Sequence, residues 1–108
     1  MAITTNTQNN SHGVSNFATG RIVSDGGAAA ALTITLGFAP RKVRFINLTD
    51  RITDEWYEGM ASASSLHTVA AGTMTLDLVN GIAVSGNTFT LTATTMVASK
   101  VFTWEAMD

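Results

Sequence analysis

The sequence predicts an all-β domain, a β-sandwich or a jelly-roll-like barrel, with an extended N-terminal arm. Three observations support this fold class. Threonine, a β-branched residue that suits a pleated sheet and disfavours helices, occupies 17 of the 108 positions. Short segments alternate apolar and polar residues, and turn residues separate them at intervals of roughly ten residues. The chain shows no convincing helical period.

Eight segments are predicted to be strands. In residues 32–36, for example, apolar side chains alternate with threonine, so the apolar ones share one face. The pair Asn80-Gly81 predicts a hairpin turn, and the small residues 61–65 predict a loop. The predicted strands are residues 21–24, 32–36, 42–48, 51–60, 73–78, 82–84, 88–92 and 100–106. The aromatic residues predicted to fill the core are Phe38, Phe45, Phe89, Phe102 and Trp104.

Residues 1–19 are predicted to form a polar arm that precedes a single β domain of residues 20–108. Eleven of these nineteen residues are Ser, Thr, Asn or Gln, so the segment has too few apolar side chains to offset its own ordering entropy. We expect either a frayed terminus or an arm that orders on a partner, with Phe17 as an anchor near its base. Residues 1–8 contain no basic residue and no apolar run, so no signal peptide is expected.

The charge content indicates what kind of partner the chain binds. Only 13% of the residues are charged and the net charge is −2, so we expect neither a cationic face nor binding to nucleic acid. No apolar run approaches the roughly 18 residues of a membrane span, so no membrane partner is expected. The absence of cysteine excludes disulfides and Cys-based zinc sites. Low charge together with 45% apolar residues predicts a surface that another protein covers.

No catalytic, metal-binding or cofactor-binding site is predicted, so the chain is not expected to be an enzyme. His12 and His67 lie far apart and lack the spacing of metal ligands. The sequence has no G-x-S-x-G nucleophile elbow and no glycine-rich phosphate loop.

The chain has a single cluster of acidic residues, which allows two interpretations. On a strand, Asp54 and Glu58 would share one face with Trp56, as in a carbohydrate site or a small glycosidase. Alternatively, the strand is a solvated or interface strand whose charges are balanced by nearby arginines. The acidic residues are Asp50, Asp54, Glu55 and Glu58, and the arginines are Arg41, Arg44 and Arg51.

Trp56 and Tyr57 are adjacent, so on a strand they point to opposite faces and at least one is expected to leave the core. Exposed Trp and Tyr side chains are favoured anchors of protein interfaces. The residues predicted to contact another protein are Phe17, Arg41, Arg44, Trp56 and Tyr57.

Three segments resemble a known class of protein. Residues 37–60 read GFAPRKVRFINLTDRITDEWYEGM, residues 68–91 read TVAAGTMTLDLVNGIAVSGNTFTL, and residues 98–108 read ASKVFTWEAMD. In their pattern of strands and turns, residues 20–108 are similar to small virion proteins of tailed bacteriophages, of the head decoration or cement type. The resemblance implies a non-enzymatic, β-sandwich or jelly-roll-like protein that oligomerises and binds the outside of an expanded capsid.

These expectations define a leading function and its alternatives. The leading one is a capsid cement protein that is assembled in the host cytoplasm, lies on the capsid surface of the virion and binds the major capsid protein. It is expected to be a homo-oligomer, a dimer or a trimer, without a cofactor. The alternatives are a carbohydrate-binding module or a tail- or fibre-associated virion protein, and last a small glycosidase.

Overall fold

A computed structural model describes residues 16–108, which form eight β-strands. This part of the chain contains no helix, and therefore none that is long and apolar enough to cross a membrane. The all-β prediction is confirmed. The strands are β1 (Phe17–Val23), β2 (Leu32–Thr35), β3 (Lys42–Asn47), β4 (Ile52–Tyr57), β5 (Ser64–Thr68), β6 (Met74–Ser85), β7 (Thr88–Leu91) and β8 (Val101–Met107).

The strands form one antiparallel sheet in the order β1-β8-β3-β4-β5-β6-β7-β2. The longest strand, β6, has 12 residues and belongs to both halves of the sheet, because its first part pairs with β5 and its last part with β7. The sheet curls around one apolar interior and so forms a half-barrel. Among the described residues, β1 and β2 end the strand order and do not pair with each other.

The core lies on the inner side of the curled sheet, where alternate residues of each strand point. Phe45 of β3 and Phe102 of β8 are fully buried, and their ring centroids lie 5.3 Å apart. Phe89 of β7 contacts Trp104 of β8 edge-on, also at 5.3 Å, and this contact joins the two halves of the sheet. Phe38 is partly buried against the same core. The predicted set of core aromatics is therefore confirmed.

The predicted hairpin at Asn80-Gly81 is wrong, because β6 continues through both residues. Ser64 lies opposite Ile82, whereas the next residue of β5 lies opposite Asp77, so the four β6 residues in between bulge out of the ladder. A Cβ atom at Gly81 would lie 2.3 Å from the carbonyl carbon of Ser64. Glycine at this position therefore permits a close approach of two backbones instead of a turn.

The loop predicted over residues 61–65 is correct only in part, because its last two residues, Ser64 and Ser65, already belong to β5. Ser64 and Ser65 are both buried, and their small side chains fit where the β6 bulge approaches β5. Residues 64–68 contain only one large apolar residue, Leu66, so apolar alternation cannot reveal this strand.

The predicted arm overlaps the first strand of the sheet. β1 begins at Phe17 and pairs with β8 along its whole length. Immediately before it, the Asn16 side chain donates a hydrogen bond of 2.7 Å to the Asp108 carboxylate. Residues 17–19 therefore belong to the sheet, whereas residues 1–15, including His12, lie outside the described residues.

Candidate protein-binding face

Outward-pointing residues of four neighbouring strands form a row at the β1 side of the sheet. The ladders place Phe17 opposite Met107, Met107 opposite Lys42, and Lys42 opposite Tyr57. Their neighbour Val43 is fully buried, so the alternation along each strand puts these four residues on the outer face. We call Phe17, Met107, Lys42 and Tyr57 the outer row.

Both ends of the outer row are exposed aromatic side chains. Phe17 is 56% exposed and Tyr57 is 37% exposed. The Lys42 ammonium lies 5.8 Å from the centroid of the Tyr57 ring, within the range of a cation–π interaction. Rigid aromatic side chains on a sheet lose little conformational entropy when they are covered, and such residues anchor many protein interfaces.

A row of charged residues lies beside the outer row on the same face, two positions away along each strand. Arg44 lies between Glu105 on β8 and Glu55 on β4, and its Nε atom is 3.7 Å from the nearer Glu55 oxygen. That distance is an ion-pair contact longer than a hydrogen bond, and the Arg44 Nε atom makes no hydrogen bond within the described part of the chain. Exposed pairs of this kind add little to stability, so their main effect is to orient the side chains.

The Tyr57 hydroxyl donates a hydrogen bond to the Glu55 carboxylate. This bond raises the pKa of Tyr57 above its ordinary value of 10.0, and partial burial and the negative charge of Glu55 act in the same direction. Arg44 opposes the shift. The same hydrogen bond holds the Tyr57 ring beside the charged row.

Arg41 lies at the margin of the outer row. Its backbone N–H donates to the Met107 carbonyl at 2.8 Å, and its side-chain Nε lies 3.6 Å from a Glu58 oxygen. Glu58 beside Arg41 and Glu55 beside Arg44 thus match the interpretation of acidic residues balanced by arginines. The other two acidic residues do not, because Asp54 contacts His67 and Asp50 contacts Lys100. The structure thus brings four of the five predicted contact residues to one end of the sheet: Phe17, Arg41, Arg44 and Tyr57.

Trp56 does not reach this face, so its place among the predicted contact residues is wrong, whereas Tyr57 leaves the core as expected for at least one of the two. It is 8% exposed and belongs to the core, and its indole N–H points to the Ala61 carbonyl at 3.4 Å. The alternation along β4 turns Trp56 inward and Tyr57 outward, as expected for adjacent strand residues. A sugar cannot stack on a ring face that the core covers.

A second group of polar residues lines a pocket of about 200 Å³ on the inner side of the sheet. Asp54 is 3% exposed, and its Oδ1 atom accepts hydrogen bonds from Ser65 Oγ and His67 Nδ1, both at 2.8 Å. The Asp77 carboxylate accepts the backbone N–H groups of Val79 and Asn80 at 2.9 and 2.7 Å. These two bonds lower the pKa of Asp77 below its ordinary value of 3.8.

The geometry of this pocket suits binding better than nucleophilic catalysis. A serine nucleophile needs a hydrogen bond to its base, but Ser65 donates to Asp54 and not to His67. In residues 16–108, no three His, Cys, Asp or Glu side chains are grouped so as to hold a metal ion. Glu58 lies beyond the end of β4, so it does not join Asp54 as a second inward carboxylate.

Only part of this pocket could be predicted. Alternation along a strand places Asp54 and Trp56 on one face, but the sequence alone predicts that this face lies in solvent or at an interface and not in the interior. The contact with His67 depends on the pairing of β4 with β5, where His67 lies opposite Asp54. Because β5 carries no apolar alternation, the sequence gives no signal for that pairing.

Comparisons with protein-family models, with curated proteins and with solved structures found no match to this chain.

Proposed function

We propose that the chain is a structural virion protein of the head decoration or cement type, which binds and stabilises the outer surface of a bacteriophage head. The observation that carries the proposal is the outer row, with exposed aromatic rings at both ends and charged side chains beside it. Four strands of one sheet hold this face, so it is organised before a partner binds.

The chemistry of the face defines its partner. Phe17 and Tyr57 are suited to fill apolar depressions, and the ion pairs of Arg41 and Arg44 form a polar margin that exchanges salt-bridge partners on contact. A major capsid protein presents the same surface many times on one shell. Modest contacts of a decoration protein then sum over many copies, above all where the protein is itself an oligomer.

The same proposal covers the wider setting of the protein. We propose that it acts without catalysis or a cofactor, that it is assembled in the host cytoplasm, and that it ends on the capsid surface. The low charge, 13% of residues with a net charge of −2, favours a protein partner over nucleic acid.

Binding to heads tests the proposal and the outer row together. The purified chain is mixed with expanded heads of the phage that encodes it, and co-sedimentation gives the affinity. Phe17→Ala and Tyr57→Ala are each expected to weaken binding about tenfold, because truncation of an aromatic anchor removes more than about 1 kcal/mol of binding energy. Val23→Ala is the matched control, since Val23 is 61% exposed on the same face of β1 but lies at its other end.

Two results would count against the proposal. One is the absence of binding to expanded heads. The other is an equal loss in the Val23→Ala control, which would show that the outer row is not the contact. Binding of the unmodified chain to isolated tails or fibres, and not to heads, would favour the tail- or fibre-associated alternative.

The inner pocket favours a second candidate function, a carbohydrate-binding module. Carboxylate and amide groups converge there, and such groups accept and donate the hydrogen bonds of sugar hydroxyls. A glycan array tests this candidate. A hit that Asp77→Asn abolishes would support it, whereas the absence of any hit would exclude it.

A further inference from the structure

The first part of β6 has one unpaired side. Among residues 16–108, this part pairs with β5 only, whereas β7 pairs with Ala83, Val84 and Ser85 near the end of the strand. The side chains here are large, apolar and solvent-exposed. Their exposed fractions are 57% for Met74, 58% for Leu76, 65% for Leu78 and 72% for Val79.

The alternating hydrogen bonds between β5 and β6 show which backbone groups of β6 face its unpaired side. The N–H of Val69 donates to the carbonyl of Thr73 at 3.1 Å, so Thr73 turns its backbone groups toward β5. Backbone groups alternate sides along an antiparallel strand. The N–H and C=O groups of Met74 and Leu76 therefore point away from β5, where the described residues supply no partner strand. Leu78 follows the last residue of this ladder and is the first residue of the bulge.

The bulge that begins at Leu78 limits pairing at one end of this edge, but Met74, Thr75 and Leu76 before it carry neither a charge nor a proline. β2, at one end of the strand order, is only four residues long, and β1, at the other end, carries Arg21. The unpaired part of β6 has one charged residue, Asp77, and its carboxylate folds back onto the N–H groups of Val79 and Asn80. An exposed apolar edge of this kind is a template for a further strand.

We propose that this edge binds a second copy of the chain, with the two β6 strands antiparallel about a two-fold axis at Leu76. In this register Met74 lies opposite Leu78 of the second copy, and Leu76 lies opposite itself. The apolar outward side chains of both chains then form one continuous patch. Thr75 lies opposite Asp77 of the second copy, so the carboxylate meets a hydroxyl group and not another carboxylate.

The sequence of this segment favours a copy of itself over an unrelated strand. Residues 74–78 read Met-Thr-Leu-Asp-Leu, an apolar-polar alternation that is the same in both directions. At this axis Leu76 forms a hydrogen-bonded pair with its own copy, which requires that its N–H and C=O both face the partner, and the ladder phase gives this orientation. A ladder of five residues is short, so we expect a reversible dimer whose population rises with concentration.

Sedimentation velocity of the full chain over a concentration series tests the dimer. We expect the mass to rise above the 11.3 kDa of one chain as concentration increases. Leu76→Lys places two like charges at the axis and is expected to return the mass to that of a monomer. Val23→Lys is the control, because Val23 is 61% exposed on the outer face of β1, away from this edge. Circular dichroism confirms that both variants are folded.

Cysteine cross-linking tests the register, and the chain has no cysteine of its own. Cα atoms of a hydrogen-bonded antiparallel pair lie about 5.5 Å apart, which a disulfide can span. Leu76→Cys is therefore expected to give a covalent dimer on mild oxidation. Met74→Cys is the control, because its two copies would lie about 13 Å apart along the strands. A mixture of Met74→Cys and Leu78→Cys chains is expected to cross-link with each other.

Several outcomes would overturn the inference. A chain that stays monomeric at every soluble concentration has no such dimer, and a dimer that survives Leu76→Lys uses another surface. A chain that dimerises only after residues 1–15 are deleted would show that its own N-terminal segment occupies the edge. Efficient cross-linking of Met74→Cys alone would refute the register. None of these outcomes depends on head binding, because the outer row lies on β1, β8, β3 and β4.

Discussion

At the scale of single residues, the fold depends on places where a side chain has no room. Gly81 lies so close to Ser64 that a Cβ atom would meet its carbonyl carbon at 2.3 Å. Gly20 faces the Trp104 ring on the neighbouring strand, with the indole nitrogen 2.2 Å from the position of a Cβ atom. The first obstacle is backbone and the second is a side chain, so Gly81 is the less tolerant position.

We expect Gly81→Ala to lower the free energy of unfolding by about 3 kcal/mol, because the β5 and β6 backbones must separate to admit the methyl group. Urea denaturation measures the change. Gly37→Ala is the matched control, since no atom beyond the glycine and its two neighbours in the chain lies within 4 Å of the position of its Cβ atom. We expect a change within about 0.5 kcal/mol. An equally small effect at Gly81 would contradict the close approach of the two strands.

Tyr57 offers a second test at this scale, because it is the only tyrosine of the chain. Absorbance of the tyrosinate should give a pKa above 10.0, and Glu55→Gln should move it back toward that value by removing the carboxylate that accepts the hydrogen bond. Glu105→Gln on β8 is the control. A raised pKa in the folded state means that the bond stabilises the fold fully below pH 10.0, and that this contribution disappears as the pH rises through the folded-state pKa.

At the scale of secondary-structure elements, the boundary of β1 decides what an N-terminal deletion does. Phe17, Ala18 and Thr19 pair with the last three residues of β8, and the ladder between the two strands begins at Phe17. A deletion that ends at residue 15 and one that ends at residue 19 therefore test different things.

We expect deletion of residues 1–15 to leave the free energy of unfolding unchanged and to weaken binding to expanded heads. Deletion of residues 1–19 should in addition cost about 2 kcal/mol of stability, because three cross-strand pairs are lost. Denaturation and co-sedimentation of both variants measure the two effects. Head binding that survives the shorter deletion unchanged would contradict the hypothesis that the arm orders on a partner.

The elements also show where sequence analysis succeeds and where it stops. Segments with inward residues such as Val43 and Phe45 are recognisable, because each strand buries one face and alternation records it. The bulge at Gly81 is not recognisable, because it depends on a contact with β5 and not on the local residues. The combination Asn-Gly favours a turn locally, and here the tertiary contact overrides that preference.

At the scale of the whole molecule, the outer row and the unpaired edge of β6 occupy different parts of the sheet. Phe17 and Tyr57 lie on the strands at one side of the order, and Leu76 lies beyond β5. If the β6 edge forms the proposed dimer, each dimer carries two outer rows and can contact the capsid at two points. The predictable part of the candidate site is the outer face, whose residues follow from alternation. The inner pocket required knowledge of strand neighbours.

The position of the two tryptophans gives the half-barrel a built-in optical probe. Trp56 lies in the core, and Trp104 touches Phe89 across the interior. Neither indole belongs to the outer row or to the β6 edge, so intrinsic fluorescence follows the uncurling of the sheet and stays silent when either surface is occupied. A change in fluorescence therefore indicates loss of the fold. Loss of an assembly contact leaves the fluorescence unchanged and is detected by sedimentation of the same sample.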